Sequence, residues 1–275
     1  MNARFSTVLG ARGLVGSHLA YTLQQQGEET WCPDRSEQDL LFKRPLGTVY
    51  YCAGLTADFA QRPYDAVEAH VSLLSSILKY AEFERLVYLS STRLYDSLGA
   101  INATEDVTLN FSVADPRHLY DLSKALGENL CLRYSEGRGK VARLSCVLGK
   151  SLDDDGFLPG LLKQCLGNEG VKVNSSPHFV RDYIGLDDVV ALLIKVGQKG
   201  TQDIYNVASG LNIENSQVFS LIEQITGCQL QTTSVATSAA PLINIQHIKE
   251  EFGFSPVGIQ QLLEELAASR GDARF

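Results

Sequence analysis

Tyr120 and Lys124 stand four residues apart in the run HLYDLSKALGENL, and the serine pair Ser90 and Ser91 closes the apolar run RLVYLSS upstream of them. A spacing of four puts a phenol and an ammonium on one face of a helix. A phenol titrates near ~10 in water, but a neighbouring cation favours the phenolate and draws that value toward the working range. A tyrosine so placed can take a proton from an alcohol. Tyr-x-x-x-Lys also describes two amphipathic side chains on an ordinary helix, so its meaning depends on the elements around it.

The chain opens FSTVLGARGLVGSHLAYTLQQQGEE: an apolar strand, then Gly10, Gly13 and Gly16, then a helical pattern through Leu19 and Leu23. This is the strand, tight turn and helix that a dinucleotide demands. The glycines let the backbone approach a pyrophosphate, and the amides of Leu14, Val15 and Gly16 at the helix start, with the dipole behind them, attract the anion. The spacing is GxxGxxG, not the GxGxxG of many dehydrogenases. After the segment EETWCP, Asp34 can bond the adenosine ribose hydroxyls, which argues for NAD because a carboxylate there repels a ribose 2′-phosphate. Arg35, next to it, can instead clamp that phosphate, which leaves NADP open.

At 275 residues, with 44% apolar and 20% charged residues, the chain has the composition of a soluble globular protein with room for a large core. A net charge of −8 argues against a nucleic-acid or acidic-membrane partner, because either calls for a basic face. Cys32, Cys52, Cys131, Cys146, Cys165 and Cys228 form no CxxC pair and read as buried free thiols of a reducing, cytoplasmic compartment. The amino terminus runs straight into a strand, with no secretory pattern. VVALLIKVG, the most apolar later stretch, is too short for a membrane span and carries Lys195. No metal-ligating cluster is expected.

Strand-like runs at 4–9, 48–52, 85–90, 140–147 and 203–207 alternate with helical patterns, which predicts an α/β fold: a Rossmann-type, doubly wound parallel sheet covered by helices. The stretch 64–81 places Val67, Val71, Leu74 and Leu78 at helical spacing as core residues. After Gly149 the pattern loosens. We therefore expect a dinucleotide-binding domain over 1–150, with 179–207 returning to it, and a smaller C-terminal substrate-binding lobe over 151–275. Ligands of open α/β sheets lie beyond the carboxyl ends of the strands, so that lobe would close over the glycine turn.

Taken together, Gly10, Gly13 and Gly16, CAGLTADF, YLSSTRLY, Tyr120 with Lys124 and Glu128, ARLSCVLG and FVRDYIGLDDV make the sequence similar to the extended short-chain dehydrogenase/reductase family of nucleotide-sugar epimerases, dehydratases and reductases. The resemblance spans nearly the whole chain. It implies Tyr120 as acid/base on a sugar hydroxyl or ketone, Ser91 bonding the same oxygen, and Lys124 bonding the nicotinamide ribose and lowering the tyrosine pKa. It further implies cofactor contacts at Cys52, Ala53 and Gly54 and substrate contacts at Ser91, Thr92, Arg93 and Arg181. Arg181 matches the arginine that grips the substrate diphosphate, though it can equally pair with Asp182 or Asp187.

Departures from the family pattern narrow the chemistry. Thr92 and Arg93 stand where dehydratases carry an acidic pair, which argues against 4,6-dehydration. His70 and Cys146 replace asparagines; His70 reads as a satisfied core residue or as a catalytic one. The segment from Asp34 to Thr48 has no room for the usual helix and strand, so Asp39 and Leu40 stand in for the adenine-side contact. Three functions follow: an epimerase that transiently oxidises a sugar hydroxyl, a keto-sugar nucleotide reductase consuming NAD(P)H, or a non-catalytic NAD(P)-binding scaffold or sensor. A homodimer through helices 64–81 and 118–135 is also expected, with Leu122, Ala125, Leu126 and Leu130 supplying apolar surface.

Overall fold

The computed structural model describes residues 4–55, 58–234, 236 and 240–269. Its centre is a six-stranded sheet in the order Ile204–Val207, Gly139–Leu144, Arg85–Ser91, Thr48–Tyr51, Phe5–Leu9, Glu29–Trp31, every neighbouring pair parallel. Helices cover both faces, so the inner strands read as continuous apolar runs: Leu86 to Leu89 and Val141 to Leu144 are buried on either side. The order reverses between Phe5–Leu9 and Thr48–Tyr51, and the crevice at that switch point is where such sheets take their ligands.

The sheet stops at Glu29–Trp31. In place of a further helix and strand, residues Arg35–Phe42 form a 3-10 helix that Asp34 starts with a capping box to Glu37. The shortness expected of this segment is therefore real, and it leaves the second strand as the sheet's edge.

The first helix, Leu14–Gln25, buries Gly16, Leu19, Ala20 and Leu23 as one stripe against the sheet. The stretch expected as a single helix over 64–81 is composite: α over Pro63–Val67, one π turn over Glu68–Ser72, then α over Leu73–Tyr80. Ala66, His70, Leu74 and Ile77 are buried, whereas Val67 is exposed and Val71 and Leu78 only half-buried, which corrects the core face read from spacing. Helix His118–Tyr134 packs against this one and against strand Arg85–Ser91.

Beyond the sheet the strand expected at 140–147 breaks at Ser145. Cys146–Leu148 leaves to pair with Val180–Gly185, which also pairs antiparallel with Asn212–Glu214. Segment 179–207 thus divides: Val180–Gly185 sits in this smaller sheet, Leu186–Lys199 packs on the first helix, and Ile204–Val207 joins the large sheet. A separate core of Leu148, Leu158, Leu162, Phe219, Ile222 and Leu263 unites helices Phe157–Cys165, Asn215–Thr226 and Ile259–Ala268. No helix among the described residues is long and apolar enough to cross a membrane.

Candidate active site

The glycine turn is built for a close ligand. Gly10 has φ +81, and a β-carbon on it would come within 2.7 Å of the Ala53 backbone nitrogen; one on Gly16 would overlap the Gly10 carbonyl. Gly13 instead faces open space, with only the Gly10 carbonyl 3.5 Å from a built β-carbon, and no side chain caps the helix that starts at Leu14. Two glycines are thus required for packing and the third leaves room for a phosphate beside the Leu14, Val15 and Gly16 amides, a cradle that fits a dinucleotide.

Asp34 follows the edge strand Glu29–Trp31, near Arg12 of this turn. Its carboxylate accepts from the Ser36 hydroxyl at 2.5 Å and the Ser36 amide at 2.7 Å, bonds that hold its pKa below the usual carboxylate range. The exposed Arg12 guanidinium stands 3.6 Å from it, a second cation near Arg35 that the sequence reading did not assign. Asp39 and Leu40 are exposed on the 3-10 helix and line neither of the two cavities described below.

Across the switch point, Cys52, Ala53 and Gly54 follow strand Thr48–Tyr51, and Gly54 is close to the catalytic candidates: a β-carbon there would meet His70 Nε2 at 3.1 Å and Lys124 Nζ at 3.2 Å. Burial pushes the Cys52 thiol up to about 12, so it stays protonated at neutral pH. Lys124 is fully enclosed and donates to the Leu89 carbonyl at 2.8 Å. Burial draws its pKa down to about 8, with the Glu128 charge acting upward.

Tyr120 packs its ring 5.4 Å from Phe59 and 5.4 Å, edge-on, from His70. Its hydroxyl bonds Ser91, whose Oγ also accepts from the Arg93 amide at 3.2 Å. Burial pushes the Tyr120 pKa up, opposed by the Ser91 bond and the Arg93 charge. The downward pull expected from Lys124 is replaced here by Arg93, whose guanidinium carbon lies 5.1 Å from the Tyr120 ring centre. The Lys124 ammonium is directed to a strand carbonyl, and burial is what raises the Tyr120 pKa.

Ser91, Thr92, Arg93, Tyr120, Cys146 and Arg181 line a cavity of about 230 Å³. Arg93 is also tied down, 3.3 Å from Asp121 and donating to the Arg117 carbonyl at 3.2 Å. Asp182 and Asp187 are engaged elsewhere, the first by the Ser209, Gly210 and Leu211 amides and the second by His18 and Lys150, so the ion-pair alternative for Arg181 does not arise. Its guanidinium carbon instead lies 4.1 Å from the Phe179 ring centre. Cys146, expected as a buried thiol, is exposed to this cavity.

Sequence reasoning did not single out Asp96, Asp121, Ser145 or Phe59. Asp96 opens into the cavity, and surrounding protein pushes its carboxyl up against the opposing charges of Arg181, Arg93 and Arg117. Its position at the end of RLYD, on the 3-10 helix Thr92–Leu98 that follows Ser91, was the available signal.

Residues 6–208 match the model of the NAD dependent epimerase/dehydratase family. The chain belongs to that family, whose members couple their reactions to NAD. It is 21% identical to a dTDP-4-dehydro-6-deoxy-D-allose reductase of a Streptomyces species, an alignment that covers 94% of each chain. Among solved structures it resembles the UDP-glucose 4-epimerase of Thermotoga maritima with UDP-glucose (TM-score 0.80, 18% identity, covering 96% of this chain and 98% of that one). It also resembles the dTDP-glucose 4,6-dehydratase of Bacillus anthracis in complex with NAD (TM-score 0.77, 19% identity, covering 97% and 96%).

Proposed function

We propose that this chain interconverts a sugar hydroxyl and its ketone on a nucleotide sugar. Tyr120 exchanges the proton at the sugar oxygen, Ser91 bonds that oxygen, and Lys124 serves the cofactor ribose. Bound NAD(P) supplies the hydride acceptor and donor. The glycine turn with Leu14, Val15 and Gly16 holds the pyrophosphate, Asp34 and Arg35 the adenosine ribose, and Cys52, Ala53 and Gly54 the nicotinamide side.

The observation that carries this reading is a pair of neighbouring cavities with a guanidinium shared between them. The cavity at Ser91 and Tyr120 shares Cys146 and Arg181 with a second cavity of about 380 Å³ lined by Phe157, Phe179, Tyr183 and Asn215. A reactive phenol at one end, a guanidinium midway and aromatic rings at the other match a sugar, a diphosphate and a base in that order.

Two cycles use this site. In the epimerase cycle retained NAD takes hydride from the sugar and gives it back, with no net redox. In the reductase cycle each turnover consumes one NAD(P)H. One feature favours the second: the sheet edge at Glu29–Trp31 leaves the adenine side short, suiting a cofactor that exchanges. Arg12 beside Asp34 offsets the carboxylate's repulsion of a 2′-phosphate, so NADPH is compatible with the site. Adding a 4-keto nucleotide sugar to enzyme and reduced cofactor should consume cofactor one for one, read as loss of absorbance. Epimer interconversion without that loss selects the epimerase cycle instead.

We also propose a homodimer through helices Pro63–Tyr80 and His118–Tyr134. Tyr64 (88% exposed), Tyr80 (62%), Tyr134 (65%) and Leu126 (49%) leave large apolar side chains on these two helices without cover. Light scattering at micromolar concentration should return twice the chain mass; a monomer mass rejects the interface.

A further inference from the structure

His70 sits in the middle of the π turn Glu68–Ser72, completely buried, at the point where three parts of the site meet. Its Nε2 accepts from the Leu55 amide at 3.2 Å, and its Nδ1 lies 2.8 Å from Ser123 Oγ. Ser123 Oγ donates its single proton to the Tyr120 carbonyl at 2.8 Å. These bonds leave only one consistent assignment. An amide always donates, so Nε2 carries a lone pair; the serine hydrogen is already committed, so Nδ1 must carry the proton and donate it. The imidazole is neutral and both nitrogens are satisfied. Burial, and then the Lys124 charge, draw its pKa down to about 3, in keeping with that assignment.

The chain of bonds runs from the segment after strand Thr48–Tyr51, through the imidazole, to the first turn of the helix that carries Tyr120 and Lys124. Ala66 and His70, four residues apart, lie on the same buried face, and the π turn that carries His70 packs against the helix of Tyr120 and Lys124. Gly54 is packed so closely on the ring and on Lys124 Nζ that a β-carbon there would press on both.

We propose that His70 is a positioning residue: as the Nδ1–H tautomer it fastens the cofactor-side segment Cys52–Leu55 to the helix bearing Tyr120 and Lys124, holding both at one separation for the dinucleotide. This rests on the assignment of Tyr120 and Lys124 as the reacting pair, and the test separates the two claims.

His70→Gln sets an amide oxygen near the place of Nε2 for Leu55 but leaves nothing at the place of Nδ1 for Ser123, while His70→Asn reaches the place of Nδ1 and loses Leu55, so each variant cuts the link at one end. Calorimetric titration with NAD should give affinity weaker by about five- to tenfold for both variants, the range one hydrogen bond supplies, without a matching fall in melting temperature. Thermal unfolding of the two variants is measured alongside. Equal affinity in all three proteins overturns the proposal, and so does a loss in both variants that merely follows their melting temperatures. Should either variant fail to fold, nitrogen NMR of the wild-type imidazole decides: Nδ1 protonated and Nε2 bare from pH 8 to pH 5 supports the link, and a protonated Nε2 removes it. NAD affinity is independent of turnover, so failure of the Tyr120 assignment would appear separately, as unchanged turnover in Tyr120→Phe.

Discussion

Tyr120→Phe is expected to lower turnover by about 10²–10⁴-fold with little change in fold, the usual contribution of a positioned acid or base. The substitution deletes one oxygen from a ring held on all sides by Phe59, His70 and the Arg93 guanidinium, and phenylalanine keeps each of those contacts. Ser91 loses its phenolic partner but retains the Arg93 amide. The stability change should therefore be about 1 kcal/mol or less, the net value of one hydrogen bond. A pH profile adds a second readout. Burial raises the phenol pKa in the free protein, so in the reducing direction the active form is the protonated one, and the rate should fall as pH rises through that pKa. Tyr120→Phe should lack this alkaline limb. Unchanged turnover with any substrate that the wild type converts would rule out both enzyme cycles and leave the cofactor-binding scaffold.

The features legible in the sequence were those whose cause is local. Gly10 and Gly16 announce a turn because the close backbone around them requires glycine, and the apolar runs at 48–52 and 85–90 announce inner strands because both their faces are covered. Tyr120 and Lys124 share a helix, so their spacing suffices to bring them together. What spacing did not convey is where each side chain finds its partner. Lys124 meets the Leu89 carbonyl of a strand, and Arg93, read as a substrate contact, meets Asp121 and the Tyr120 ring. Over 64–81 two sets of positions share helical spacing, Val67 with Val71, Leu74 and Leu78, and Ala66 with His70, Leu74 and Ile77; hydrophobicity favoured the first because the buried face carries a small alanine and a histidine. His70 illustrates the same limit: the sequence offered a core residue or a catalytic one, and spacing could not show that its ring bonds Leu55 on one side and Ser123 on the other.

Breaking the Arg143–Glu128 pair is expected to produce the largest loss of stability of any single ion-pair change in the described structure. Arg143 stands on the inner strand Gly139–Leu144 and Glu128 on the helix of Tyr120 and Lys124; both side chains are nearly inaccessible, joined by two bonds of 2.9 and 2.7 Å. Burial works against the guanidinium charge, and the Glu128 carboxylate outweighs it, holding Arg143 above its ordinary pKa. The same guanidinium donates to the Tyr95 hydroxyl at 2.6 Å, which donates in turn to Asn206 at 2.7 Å on strand Ile204–Val207. Glu128→Ala leaves a cation in the core with its main partner gone, and the cost of such a loss is about 3–5 kcal/mol. Lys150→Ala removes one arm of the exposed Lys150–Asp187 pair and should cost less than about 1 kcal/mol. Urea unfolding of the two variants beside the wild type measures the contrast. Pairing Glu128→Leu with Arg143→Met should recover much of the loss, since two apolar groups have no charge to leave stranded. Equal stability in Glu128→Ala and wild type would mean that water reaches Arg143, and the enclosed network that braces the helix of Tyr120 and Lys124 against the sheet would have to be given up.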